Sequence, residues 1–91
     1  MKRYDITVTG KVQGVGFRYF AQMEAKHHDL TGWVRNELDG SVRAEAQGEE
    51  ENLHAFISAL AKARYPAQVD DVIPLDIDTV NSEKSFRIRH D

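Results

Sequence analysis

Cysteine is absent from the 91-residue chain, which removes disulfide staples, thiolate metal ligands and a cysteine nucleophile together. Stability must come from packing, and redox chemistry is not expected. Long apolar runs are missing too. The opening Met1-Lys2-Arg3-Tyr4-Asp5-Ile6 has two basic residues with no hydrophobic stretch behind them, and no window approaches bilayer-spanning length. A soluble, cytoplasmic protein without a membrane partner is expected. Positive charge is not in excess either. Twelve Lys and Arg face 15 Asp and Glu, and the formal net charge of −3 argues against the broad attraction by which basic proteins hold nucleic acid. A local basic pocket for a small anion remains compatible with that balance. Apolar residues at 41% and charged residues at 30% describe a chain able to fold by itself. Its length suits one domain over residues 1–91 rather than two.

Tyr4, Ile6 and Val8 alternate with Asp5 and Thr7, the two-residue period of a strand with one buried face. Gly10-Lys11-Val12-Gln13-Gly14-Val15-Gly16 then breaks the alternation and reads as a loop whose glycines allow a close approach to a ligand. Tyr19 to His28 is rich in helix formers without Gly or Pro, so a helix follows directly. Thr31–Asn36 and Ser41–Gln47 flank the turn pair Asp39-Gly40 and should form an antiparallel hairpin. After the acidic triplet Glu49-Glu50-Glu51, Leu53, Phe56, Ile57 and Leu60 recur at helical spacing. Val72–Ile77 and Lys84–Arg89 close the chain as strands, and Pro74, lacking an N–H, suits an edge strand or a bulge. The order predicts an α+β fold, a ferredoxin-like βαββαβ sandwich. Two helices would pack on one face of an antiparallel sheet with an extra short C-terminal strand. That fold hosts many activities and fixes none.

The chemistry must therefore come from the loop and the hairpin. A glycine-rich loop between a strand and a helix start offers free N–H groups and a positive dipole end to an anion. Arg18 stands at that start, and its planar guanidinium can hold two phosphate oxygens while never losing its proton at neutral pH. A tight strand-to-helix turn with an exposed arginine fits the same residues. A Walker loop is excluded because Val15 and Gly16 stand where Gly and Lys are needed, and the dinucleotide pattern fails at Tyr19. Gln13 to Phe20 loosely echoes an RNA-recognition signature, but it precedes a helix and lacks the stacking aromatic at Val15. His27 and His28 are neighbours that point about 100° apart on a helix, so they cannot chelate one ion together. His54 and His90 are isolated in the sequence, and no metal or other cofactor is expected. Trp33 reads as sheet packing, and the acidic triplet as helix-start electrostatics.

The run Gly10-Lys11-Val12-Gln13-Gly14-Val15-Gly16-Phe17-Arg18, with Gly32-Trp33-Val34-Arg35-Asn36, Asp39-Gly40-Ser41-Val42 and Gln47-Gly48, resembles the signature of the acylphosphatase family. The similarity extends to the closing Phe86-Arg87-Ile88-Arg89. It implies a metal-independent hydrolase of small acyl phosphates that acts as a monomer. Its cradle would be the loop Gln13, Gly14, Val15, Gly16 and Phe17, with Arg18 binding the phosphoryl group and Asn36 orienting the attacking water. Elementary chemistry agrees with those roles. An acyl phosphate already carries a good leaving group, so the main task is to neutralise and align phosphoryl oxygens. An amide can hold a water but is too weak a base to deprotonate it, which leaves a phosphate oxygen as the proton acceptor. On residue type alone, a strand-end amide capping the hairpin is the favoured reading of Asn36 over a catalytic one. A weakly active or inactive phosphate or carbamoyl-phosphate binding module, as in related domains fused to larger maturation enzymes, is the competing reading.

Two places depart from the family pattern. His28 and Asp29 stand where an apolar residue and glycine usually end the first helix, and Tyr65-Pro66 replaces the common Gly-Pro. Asp tolerates a left-handed backbone better than most residues, at a cost relative to Gly. Both departures lie away from the loop and from Asn36, so they bear on local stability more than on activity.

Overall fold

The alternation at Tyr4, Ile6 and Val8 places these residues toward the core in the computed structural model, which describes residues 1–91. The chain runs β1 (Lys2–Lys11), α1 (Phe17–His27), β2 (Thr31–Asn36), β3 (Val42–Gly48), α2 (Glu50–Ala61), β4 (Gln68–Ile77) and β5 (Phe86–Ile88). One five-stranded sheet has the order β4-β1-β3-β2-β5. Strand β1 is antiparallel to both β3 and β4, and β2 is antiparallel to β3. The short terminal strand β5 joins parallel to β2, so the sheet is mixed.

Both helices cover the same face of that sheet. Ile6, Val8, Val34, Val42, Ala44 and Ala46 from the strands share one buried cluster with Phe17, Ala21 and Ala25 of α1 and Leu53, Phe56 and Leu60 of α2. The helical period anticipated for α2 is thus the period of its buried side. Phe56 meets Phe86 of β5 edge-on, with ring centroids 5.9 Å apart, a contact worth about 1 kcal/mol beyond burial. Trp33 lies on the opposite face. The guanidinium carbons of Arg35, Arg43 and Arg89 lie 5.0, 5.9 and 4.7 Å from its ring centroid.

Several boundaries differ from the expectation, the last strand shortening from Lys84–Arg89 to Phe86–Ile88, and three of the differences have a local cause. Strand β1 continues through Gly10 and Lys11, which pair with Val69 and Gln68 of β4 after a register shift at Thr9. Gly10 adopts φ +122°, and a Cβ there would stand 2.2 Å from the Gln68 carbonyl oxygen. Its glycine serves a bulge and a close approach of β4, not the loop to which its neighbours assigned it. Helix α1 starts at Phe17, two residues before Tyr19, which places Arg18 in the first turn. Strand β4 begins at Gln68 rather than Val72, and it is an edge strand, as Pro74 requires.

The helix α1 ends on a left-handed residue. Asp29 has φ +56°, its N–H donates to the Lys26 carbonyl at 3.2 Å, and the Leu30 N–H donates to the Ala25 carbonyl at 2.9 Å. This pair of bonds is a Schellman motif, with buried Leu30 and Ala25 supplying its apolar contact.

The connection from β4 to β5 is strapped to the sheet. Arg3, 2% exposed, donates to Glu83 at 2.8 and 3.3 Å, to Glu45 at 2.8 Å and to Gln47 at 3.2 Å. Gln47, opposite Arg3 in the β1–β3 ladder, donates from its amide to the Val80 carbonyl at 3.0 Å and accepts from the Val80 N–H at 2.9 Å.

Candidate active site

Strands β1 and β2 are each antiparallel to β3, so they run in the same direction and their C-terminal ends lie at one edge of the fold. That edge gathers the loop after β1, the start of α1, and Asn36 at the end of β2. The α2–β4 connection, which contains the cis Tyr65–Pro66 bond, leads into β4 at the same edge because β4 runs opposite to β1.

The loop is bolted to the hairpin by Gln13. Its side-chain amide donates to the carbonyls of Glu37 and Ser41 at 2.7 and 2.8 Å. These two residues also close the β2–β3 turn, where the Glu37 N–H donates to Ser41 at 2.9 Å. The turn is further held by Asp39, which accepts from the Ser41 amide and hydroxyl at 2.9 and 2.6 Å. One side chain therefore fixes the distance between the loop and Asn36.

Gly16, at φ +76°, precedes α1 with no side-chain cap. The Phe20 N–H donates to the Gly16 carbonyl at 3.1 Å, so the earlier amides of that turn are unclaimed by the helix and face outward at its positive end. They border a cavity of about 130 Å³ lined by Val12, Gly14, Gly16, Phe17, Arg18, Tyr19 and Asn36. Arg18 approaches no carboxylate; its partners are the Arg89 carbonyl at 3.3 Å and His90 Nδ1 at 3.2 Å. Arg3, Arg35, Arg43 and Arg89, by contrast, are each paired with a carboxylate. Arg18 thus brings an uncompensated positive charge to the wall. On the same wall, Asn36 Oδ1 is buried and has no hydrogen-bond partner in the protein.

A wider depression of about 620 Å³ also touches Asn36. Its wall holds Glu37, Asp39 and Asp91 against Arg35 alone. Hydrogen bonds from Ser41 keep the Asp39 carboxyl below its ordinary range, and Arg89 does the same for Asp91. A phosphate would be repelled there, so on electrostatic grounds the smaller cavity suits an anion better than the wider one.

Of the residues singled out from sequence, Gly14, Gly16, Phe17, Arg18 and Asn36 meet in the small cavity. Gln13 and Val15 are not on its wall. The Gln13 side chain is spent on the hairpin, and Val15 lines a neighbouring hollow. Val12, Tyr19 and His90 were not anticipated. His90 reaches Arg18 because β5 lies parallel beside β2 and carries the chain on toward the cavity. That pairing is remote in sequence and leaves no periodic signal. The other histidines lie elsewhere, His54 stacked on Tyr4 at 6.3 Å and His28 beside Glu24. The arrangement suits a compact tetrahedral anion, held by outward amides and one free guanidinium, with a lone acceptor positioned beside it.

The family profile described as Acylphosphatase matches residues 4–88. A protein named acylphosphatase in Clostridium acetobutylicum is 50% identical over 88 residues, covering 97% of each chain. One of the same name in Bacillus licheniformis is 47% identical over 99% of this chain and all of its own. The crystal structure of acylphosphatase from Bacillus subtilis superposes with a TM-score of 0.93 at 40% identity, covering 98% of this chain and 99% of the other.

Proposed function

This chain belongs to the acylphosphatase family and is a hydrolase of acyl phosphates, and from that premise we propose a division of labour between Arg18 and Asn36. The phosphoryl group sits in the small cavity, its oxygens met by the amides from Gly14 into the first turn of α1 and by the guanidinium of Arg18. The observation that carries the proposal is the buried, unpartnered Oδ1 of Asn36 on the same wall as a guanidinium without a carboxylate. An acceptor left unpaired in a buried place is costly unless function uses it. Here it orients a water, accepting one of its protons while the lone pair points at phosphorus.

The water oxygen forms a bond to phosphorus as the bond from phosphorus to the acyl oxygen breaks, in line and on the opposite side. The leaving group departs as a carboxylate and needs no acid. The water's proton passes to a phosphoryl oxygen, so the products are a carboxylate and inorganic phosphate. Arg18 and the fixed amides meet the charge spread over the phosphoryl oxygens, without a metal ion. Every group in this scheme comes from one chain. We therefore read residues 1–91 as one domain acting as a monomer on small molecules in the cytoplasm, with no role for nucleic acid. No helix of the structure is long and apolar enough to cross a membrane.

Steady-state hydrolysis of benzoyl phosphate tests the division of roles. Asn36→Ala should lower kcat roughly a hundredfold, the scale of losing one positioning contact, with the inhibition constant for phosphate little changed. Arg18→Ala should weaken phosphate binding and lower the rate as well. Circular dichroism and a melting curve check that each variant folds. A folded Asn36→Ala that turns over at close to the parent rate would remove the water-orienting role.

A further inference from the structure

Beside the phosphate cavity lies a second one, of about 280 Å³. Val15, Phe17 and Phe20 form one side of it, and Lys62, Ala63 and Arg64 of the α2–β4 connection form the other. The two cavities share Gly16 and Phe17, so they are neighbours across the crest of the loop. A Cβ built on Gly14 or Gly16 would meet nothing within 4 Å, which leaves open space above that crest.

The direction of reaction points the acyl group the same way. In-line displacement puts the leaving group opposite the attacking water, and the water is assigned to Asn36 at the end of β2. In the sheet order β4-β1-β3-β2-β5, the cradle after β1 lies between β2 and β4. The side remote from Asn36 is therefore the β4 side, where the second cavity is walled by the segment leading into β4. Asn36 borders the first cavity and not the second.

The wall chemistry is also selective. The floor is apolar, the wall contains no carboxylate, and two cations stand on it. Neither Lys62 nor Arg64 takes part in any ion pair. Building on the acylphosphatase reading, we propose that this cavity is the acyl subsite. Lys62 and Arg64 make it select acyl phosphates whose acyl group carries a second anionic group at the far end of a short hydrocarbon body. The apolar floor takes the hydrocarbon, and the two cations meet the distal anion.

Binding of acylphosphonates tests this separately from turnover, because their carbon–phosphorus bond cannot be hydrolysed. Calorimetry compares benzoylphosphonate with 4-carboxybenzoylphosphonate. The carboxylate should tighten binding by about threefold to tenfold at low salt, the scale of two exposed charge contacts, and the gain should shrink as salt is raised. In the double variant Lys62→Gln, Arg64→Gln the ratio of the two dissociation constants should fall to near one, and in Ala63→Glu it should invert. Equal affinity for the two ligands in the parent protein, or a preference that survives in the double variant, overturns the subsite. Absent turnover of benzoyl phosphate would instead remove the hydrolase reading, while the binding ratio still decides this one.

Discussion

Asp29 occupies the position after α1 where the backbone is left-handed, φ +56°, and its side chain makes no hydrogen bond that would recompense it. Two effects act against it. An L-residue in this conformation costs about 1–2 kcal/mol, with Asp toward the low end, and a carboxylate at a helix C-terminus opposes the dipole by about 0.3–1 kcal/mol. Glycine removes both, while giving back about 0.5–1 kcal/mol through the greater entropy of its unfolded chain. Asp29→Gly should therefore stabilise slightly. Asp29→Ala loses the charge but keeps the full backbone cost, so the gap between the two variants should be about 1 kcal/mol. For a domain of this size that is a difference of about 4–8 °C in Tm, read by circular dichroism. Activity should be unaffected, since an eleven-residue helix, about 16 Å long, separates Asp29 from the cradle. An Ala variant that melts at or above the Gly variant would refute the assignment of strain to this residue.

Arg3→Met should cost about 2–3 kcal/mol, below the full 3–5 for a buried pair because the abandoned carboxylates can still reach water; a urea titration that leaves the midpoint in place would count against the strap. Burial pushes the Glu83 carboxyl up, but the hydrogen bonds from Arg3 and Thr31 and the charge of Arg3 outweigh it and hold the group below its ordinary value. Its contribution is thus present above the unfolded value of about 4.3 and is lost as pH falls through the lower folded value. Glu83→Gln should flatten the acid side of a plot of Tm against pH. Turnover should persist in excess EDTA if, as proposed, Arg18 and loop amides meet the phosphate charge; a loss restored by magnesium or zinc would reverse that proposal.

Local patterns carried much of this fold. Leu53, Phe56 and Leu60 announce the buried side of α2, and Asp39-Gly40 announces the hairpin, because both depend on neighbours a few residues away. The pairing of Arg18 with Asn36 in one cavity was legible only through long motifs at a fixed separation. Neither residue type alone distinguishes a site from a turn. What escaped depends on distant partners. Gly10 belongs to a bulge imposed by Gln68, the Gln13 side chain serves the hairpin, and His90 meets Arg18 through the parallel addition of β5. No period along the chain records which carbonyl will pass 2.2 Å from an absent Cβ.

The double pairing of β1, with β3 on one side and β4 on the other, sets a timetable for synthesis. The segment proposed to cradle phosphate leaves the ribosome before β4, tethered to a strand whose second partner ends only at Ile77. At translation rates of about 5–20 residues per second, the nascent chain spends several seconds with that loop made but unframed. Apolar Ile6 and Val8 are uncovered only until the helices that pack on them are made, α2 ending at Ala61. A chain released before β4 is complete would carry both halves of the signature, yet the strand leading into its cradle would still have an unpaired edge. The second edge of β1 is closed, and the strand leading into the proposed cradle is framed, only as β4 docks.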